Sequence, residues 1–355
     1  MTKRILMKGN IALCEGAIKA GCQAYFGYPI TPQNEIPAWM SKRMVELGRV
    51  FIQSESEVSA INMVFGAALT GARAMTSSSS PGISLKQEGI SYMAGCELPG
   101  VIVNVQRGGP GLGNIAGSQA DYFQSTRGGG HGDYRTLVLA PGSVQEMYDL
   151  VQEAFDLADK YRNPVLVLTD GILGQMMEPI QVDEDKSSAD KQKLPPKDWI
   201  LDGAKGRPPR SIKSLLMTEG FLEEHNRDLE KKYQKMKEEA RYEAHNLEGA
   251  EIVLVAFGIA ARVAKSAMQL GNKKGIKVGL IRPITLYPFP EEIISQTADK
   301  VKKFLVVELN LGQMVEDVKL AAGGKAEVHF YGRPGGGIIS QEEVLEEIMK
   351  IKGKE

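Results

Sequence analysis

Glu57 closes the segment Gln53-Ser-Glu-Ser-Glu57, which follows the apolar run Val50 to Ile52 and precedes a stretch with the small residues Ala60, Gly66, Ala67, Ala68 and Gly71. Two acids at such a place can simply complement the positive end of the helix they open. A glutamate partly buried there can instead hydrogen-bond a heterocycle nitrogen and move a proton. Thr31 lies in Gly27-Tyr28-Pro29-Ile30-Thr31-Pro32, where two prolines fix φ and forbid helix while Gly27 lets the backbone turn. Its hydroxyl is therefore held in one place, either to meet a ligand or to cap the next helix. Thr76-Ser-Ser-Ser-Ser80-Pro-Gly82 offers hydroxyls and amides suited to a phosphate or a polar ring edge, and equally to a capped turn. Gln106-Arg107-Gly-Gly-Pro-Gly-Leu-Gly113 sets a guanidinium, which can grip a carboxylate with both arms, beside glycines that let a ligand come close. His131 stands in Gly128-Gly-Gly-His-Gly-Asp-Tyr134 as a candidate acid, base or substrate donor, or as a plain loop residue.

Short β-branched runs alternate with helix-length amphipathic stretches and position these residues. Val101 to Val105, Val165 to Leu168, Ile252 to Phe257, Val278 to Ile281 and Phe304 to Val307 are of strand length. Ser143 to Lys160 places Val144, Met147, Val151 and Ala154 on one face, and Ser143 with Glu146 has the spacing of a capping box. Such alternation predicts an α/β fold with parallel sheets covered on both faces. Composition shifts after Ile180: Pro195-Pro196, Pro208-Pro209 and many charges read as a linker, and Glu219 to Asn246 reads as a charged helix. Its stripe of Leu222, Leu229, Tyr233, Met236 and Ala240 packs either on a neighbouring subunit or on its own domain. The expected domains are 1–180 and 249–355, joined by a charged linker and helical insert, 181–248.

Composition removes whole classes of function. The 355 residues carry 43 Lys and Arg against 44 Asp and Glu, so nothing global points to nucleic acid or an acidic membrane surface. No apolar run approaches the ~18 residues that span a bilayer. Basic residues near the start lack a following apolar region, so a cytoplasmic protein is expected. Three scattered cysteines (Cys14, Cys22, Cys96) without a Cys-x-x-Cys cannot hold an iron–sulfur cluster through four thiolates. Four histidines without zinc-ligand spacing predict no metal on this chain.

Taken in order, the Tyr28-Pro-Ile-Thr-Pro32 loop, the Glu57 segment, Thr76 to Gly82 and the Arg107-Gly-Gly-Pro stretch resemble the α subunit of 2-oxoacid:ferredoxin oxidoreductases. The likeness spans essentially the whole chain. Within the family it is nearest to the branched-chain type acting on 3-methyl-2-oxobutanoate, a likeness the His131 run and the overall length support. The resemblance implies a pyrimidine-type thiamine diphosphate-binding domain, with a doubly wound parallel sheet, followed by a transketolase C-terminal-like α/β domain. By the same likeness Glu57 hydrogen-bonds the aminopyrimidine of thiamine diphosphate, and Thr31 and Arg107 bind the substrate carboxylate. Tyr28, Pro29, Ile30 and Ser80 line the cofactor.

Thiamine enzymes hold diphosphate and Mg²⁺ with Gly-Asp-Gly and a downstream Asn, and Asp170-Gly171 and Asp202-Gly203 lack that context. The resemblance therefore implies partners: a β subunit with the diphosphate and Mg²⁺ site, a γ subunit, and a ferredoxin-like subunit with iron–sulfur clusters. Coenzyme A takes the acyl group and ferredoxin the electrons. Alternatives are the same reaction on 2-oxoglutarate or pyruvate, a self-sufficient dinucleotide-binding oxidoreductase using Gly109 to Gly113, and a non-catalytic scaffold. The glycines do not meet Gly-x-Gly-x-x-Gly, since Pro110 intrudes.

Overall fold

The computed structural model describes residues 2–183 and 194–353. In chain order its elements are β1 (Thr2–Lys8), α1 (Gly9–Lys19), β2 (Ala24–Gly27), α2 (Glu35–Glu46), β3 (Val50–Gln53), α3 (Glu57–Leu69), β4 (Ala74–Ser78) and α4 (Ser80–Gly95). There follow β5 (Gly100–Gln106), α5 (Tyr122–Thr126), β6 (Leu137–Leu139), α6 (Val144–Tyr161), β7 (Pro164–Asp170), α7 (Gly171–Gln175) and β8 (Met177–Asp183). After an irregular stretch come α8 (Phe221–Met236), β9 (Tyr242–His245), β10 (Ile252–Val255), α9 (Gly258–Lys273), β11 (Val278–Pro283) and β12 (Thr285–Tyr287). The chain ends with α10 (Glu291–Ala298), β13 (Lys303–Glu308), α11 (Met314–Ala322), β14 (Glu327–Gly332) and α12 (Gln341–Lys352).

Seven strands in the order β12-β6-β7-β5-β4-β2-β3 form the first sheet. All its pairs are parallel except β12 with β6. β5 and β7 are buried along their whole length, as expected of central parallel strands covered by helices on both faces, whereas β3 is an exposed edge. The second sheet has the order β14-β13-β10-β11-β9, with β9 antiparallel to β11 and the other pairs parallel. The structure thus has the α/β architecture that strand–helix alternation predicted. Sheet membership crosses residue 249 in both directions, because β9 joins the second sheet and β12 joins the first.

Two sequence expectations change. Residues 219–246 are not one helix: α8 ends at Met236, a single 3₁₀ turn Lys237–Glu239 follows, and Tyr242–His245 is extended. The reason is tertiary, since β9 gains ladder hydrogen bonds from β11 that a further turn of helix would forfeit. Leu229, Tyr233 and Met236 are buried against the chain's own core while Leu222 is exposed, so the stripe packs on its own domain. At α6, Ser143 caps Glu146 N–H at 3.1 Å, but the Glu146 carboxylate accepts from Gly142 N–H and pairs with Arg282 instead of completing the box. Of the expected 181–248 connection, residues 184–193 lie outside the described residues. Among the described residues no helix is long and apolar enough to cross a membrane.

At the end of the first sheet away from the candidate residues, Arg73 precedes β4 with its side chain 8% exposed. It pairs with Asp156 at 2.7 Å and Asp159 at 2.8 Å on α6, and donates to the Ala20 carbonyl after α1. Removing Arg73 leaves Asp159 paired with Lys197 at 2.9 Å but strands the Asp156 charge and the Ala20 carbonyl. Arg73→Met is therefore expected to cost about 3–5 kcal/mol in denaturant unfolding; a loss below ~1 kcal/mol would show that solvent reaches Asp156 and Asp159 more freely than this packing allows.

Candidate active site

Because β2, β3, β4, β5 and β7 all run the same way, their carboxyl ends share one edge of the sheet, and four of the five chemically suggestive stretches begin there, while the fifth, around His131, leads into the amino end of β6. The chain passes from β2 outward to β3, then back across to β4, so the direction of winding reverses between β2 and β4. A crevice opens at such a reversal, where open α/β sheets bind ligands. Its walls are the Tyr28–Pro32 loop on one side and Ser79–Gly82 on the other. Ser77 bridges them below, bonding Tyr25 at 2.6 Å and Gln33 at 2.6 Å.

Glu57 enters from β3. Ser54 ties the connecting loop back to β2 by donating through its amide and hydroxyl to the Gly27 carbonyl. Ser56 then caps α3 by accepting from Ser59 N–H. The two acids part company here: Glu55 is exposed and accepts from the Ser59 hydroxyl, whereas Glu57 is 6% exposed and turned toward α4. Gly82 is what admits it. A Cβ built there would lie 2.5 Å from Glu57 Oε1 and collide with Ser78 Oγ. The hydroxyls of Thr76, Ser78 and Ser79 are buried beside this wall without a protein partner. A buried carboxyl, a missing Cβ and uncommitted hydroxyls fit a heterocycle with polar edges.

Arg107, at the end of β5, is 7% exposed. Its guanidinium donates to the Thr31 carbonyl and the Leu112 carbonyl, each at 2.9 Å, while its buried Nε has no protein partner. The Thr31 hydroxyl accepts from Asn34 at 3.0 Å, which leaves its own proton to donate. Thr31 and Arg107 are therefore brought together, with Tyr28, Pro29 and Ile30 on the same loop. Ser80 lies alongside in a different role: it donates to Asp121 at 2.6 Å and accepts from Arg107 N–H at 3.0 Å, fastening α4 to the end of β5. Burial holds the Asp121 carboxyl above its ordinary range. His131 stands exposed in a loop whose Gly130 packs on Gln87 and Ser91 in the middle of α4.

The glycines after Arg107 close on themselves. Asn114 N–H donates to the Gly108 carbonyl and Gly108 N–H to the Ala116 carbonyl, so no helix start follows them as a dinucleotide site requires. Asp170 is buried at the end of β7, where it accepts from Ile172 and Leu173 N–H at the start of α7 and faces Ile259 N–H of α9; burial pushes its pKa up to about 6. Asp202 pairs with Arg207 on an exposed turn. Among the described residues no group of three or more His, Cys, Asp or Glu side chains is placed to hold a metal ion.

A family model for the thiamine diphosphate-binding part of pyruvate flavodoxin/ferredoxin oxidoreductases matches residues 15–247, and one for core domain II of pyruvate:ferredoxin oxidoreductase matches residues 250–344. The chain belongs to the 2-oxoacid:ferredoxin oxidoreductases. It is 51% identical to ketoisovalerate oxidoreductase subunit VorB of Methanothermobacter thermautotrophicus, over 98% of each chain. It is 37% identical to 2-oxoglutarate synthase subunit KorA of the same organism, over 99% of this chain and all of that one. Among solved structures it is similar to 2-oxoglutarate:ferredoxin oxidoreductase from Magnetococcus marinus, with a TM-score of 0.85 and 26% identity; the match covers 98% of this chain and 65% of that one. A split-gene transketolase, 14% identical with a TM-score of 0.59, shares the fold. As one subunit of an oxidoreductase, the 2-oxoacid:ferredoxin oxidoreductase chain acts only with partner chains.

Lys86 and the part played by Gly82 escaped the sequence reading. A signal for Lys86 was available: it interrupts the otherwise small or apolar face Gly82, Ile83, Ile90, Met93 of α4. Gly82→Ala raises helix propensity yet puts a methyl group where the Glu57 carboxyl sits. It should lower turnover of the assembled enzyme by at least ~10-fold with helical circular dichroism unchanged; full activity would mean that the Glu57 side chain can stand elsewhere.

Proposed function

We propose that this chain supplies the aminopyrimidine half of a thiamine diphosphate site in an enzyme that decarboxylates 3-methyl-2-oxobutanoate oxidatively, giving acyl-coenzyme A and carbon dioxide with electrons passed to ferredoxin. The observation that carries this reading is the Glu57 carboxyl, buried against Gly82 at the reversal of strand order. Glu57 would share a proton with the ring nitrogen of the aminopyrimidine, with Tyr28, Pro29, Ile30 and Ser80 walling the ring. Thiamine diphosphate, when bound, supplies the nucleophilic carbon and the electron sink that a 2-oxoacid needs to lose carbon dioxide. Arg107 and the Thr31 hydroxyl would hold the substrate carboxylate, and must release it as its charge leaves with carbon dioxide. His131 remains a candidate donor from the loop over α4.

Substrate choice follows from the surroundings of Thr31. A cleft of about 480 Å³ beside it is lined by Ile115, Ala116, Ile172 and Ile338, and the charged group in its wall is Glu35. A branched alkyl chain suits such walls, whereas the second carboxylate of 2-oxoglutarate would find no cation among the lining residues, since Glu35 already holds Lys8 from outside the cleft at 3.3 Å. The higher identity to the ketoisovalerate subunit than to the 2-oxoglutarate subunit agrees.

The remaining half of the site would come from a β subunit carrying the diphosphate and Mg²⁺ contacts. We infer that it covers the outer face of α3 and α4, where Val58, Leu85 and Tyr92 are exposed. A γ subunit and a ferredoxin-like subunit with iron–sulfur clusters complete the assembly, which works in the cytoplasm.

Co-purification followed by 2-oxoacid-dependent reduction of a viologen dye tests both parts. The chain alone should be inert. The assembly should prefer 3-methyl-2-oxobutanoate over 2-oxoglutarate by ~10²-fold in kcat/KM, and a preference for 2-oxoglutarate would sink the assignment of substrate. Glu57→Gln should nearly abolish turnover, and near-normal activity would refute the role given to Glu57.

A further inference from the structure

The inward face of α4 presents Gly82, Ile83, Lys86, Ile90 and Met93, all buried. One of these is a cation. Lys86 is 0% exposed, and its ammonium donates to the backbone carbonyl of Glu57 at 3.4 Å across the α3–α4 seam. Gly82, one turn earlier on the same face, is the residue whose bare Cα admits the Glu57 carboxyl. Lys86 therefore grips the first turn of α3 from below while Gly82 leaves room for its side chain above.

Stability does not explain a lysine here. A buried ammonium loses its hydration, and one long hydrogen bond replaces little of it; a methionine of similar length would fill the same space at lower cost. The attraction it does feel comes from Glu57. Other charged groups nearby are engaged elsewhere. Glu88, next on α4, accepts from Tyr92. Asp121, just before α5, is held by Ser80 and Asn104, and Tyr134, from the loop packed on α4, is engaged with Gly130 N–H and Gln87. The strands behind the helix, β5 and β7, carry no titratable side chain until Asp170, which caps α7.

We propose that Lys86 is a positioning residue for Glu57: its ammonium fixes the first turn of α3, so that the carboxyl stands where the aminopyrimidine of thiamine diphosphate meets it. The inference rests on the reading of Glu57 given above. Burial pulls the Lys86 pKa down to about 8, against the opposing pull of Glu57. Between that value and the ordinary lysine range the unfolded chain binds more protons than the folded one, so this residue makes the fold more stable as pH rises through the window. The ammonium that holds Glu57 disappears over the same rise, falling about tenfold for each unit above the pKa. Stability and function thus move in opposite directions, which a purely structural lysine would not do.

The assembled complex and its Lys86→Met variant should be compared from pH 6.5 to 9.5. Thiamine diphosphate affinity is read by calorimetry on the cofactor-free complex, with kcat, KM and Tm alongside. In the wild type, affinity and kcat should fall about three- to fivefold between pH 8 and pH 9 without a fall in Tm. Lys86→Met should bind the cofactor at least ~10-fold more weakly at pH 7, lack the alkaline fall, and melt no lower than the wild type. Cofactor affinity and kcat within twofold of wild type, or an alkaline fall that persists in the variant, would overturn the proposal. Should the variant fail to assemble, a wild-type cofactor affinity that stays constant from pH 7 to 9 overturns it equally. Glu57→Gln in the same assays separates the two claims. An inactive Glu57→Gln beside a normal Lys86→Met removes only the role of Lys86, while an active Glu57→Gln removes both.

Discussion

A parallel sheet has two unlike edges, and that asymmetry governs this molecule. Each connection between parallel neighbours must cross back over a face, so every loop leaving a carboxyl end falls on the same side. Four segments far apart in sequence are thereby delivered to one line without any contact among them having to be specified. The reversal of winding between β2 and β4 parts two of those loops and leaves room for a ligand. Glu57, Thr31 and Arg107 come from three different strand ends, and reversing the strand that carries any one of them would send it to the opposite edge.

The opposite edge carries the cost of this arrangement. There Arg73 and two aspartates spend a buried ion-pair cluster on joining β4 to α6, and no residue singled out for chemistry is found beside them. At the active edge the buried polar groups are instead left partly open, as with Arg107 Nε and the hydroxyls of Thr76, Ser78 and Ser79. The Arg73 cluster is paired for stability, whereas Arg107 Nε and the three hydroxyls are left open for binding, a division expected where a fold serves a site.

How much of this could be read beforehand varied with the range of the interaction. Strands such as Val101 to Val105 were legible because burial on both faces writes a continuous β-branched run. The start of α6 was legible because its cap is local. The Glu57 segment could be found from its spacing, but the choice between Glu55 and Glu57 rests on which of them faces α4, and only packing decides that. β9 was misread as helix because its charged sequence says nothing of the strand waiting beside it. What fastens Ser80 in place was not legible, because its hydroxyl partners include Asp121, 41 positions away. Lys86 went unread because a lysine in a helix is ordinarily a surface residue, and its place on the apolar face Gly82, Ile83, Ile90, Met93 was the one local sign that it is enclosed.

β12 belongs to the first sheet although it lies within the second unit in sequence, after β9, β10, α9 and β11. During synthesis on the ribosome, residues 2–183 emerge with β6 as an open edge, and the strand that covers it appears only after Thr285 to Tyr287 have left the exit tunnel. An unpaired edge strand invites pairing with any extended chain at hand. For the intervening hundred or so residues of translation, at ~5–20 residues per second, the nascent chain carries a sticky margin that its own later sequence must reach first. The two units therefore cannot be treated as separable modules in time, even where each has a sheet of its own.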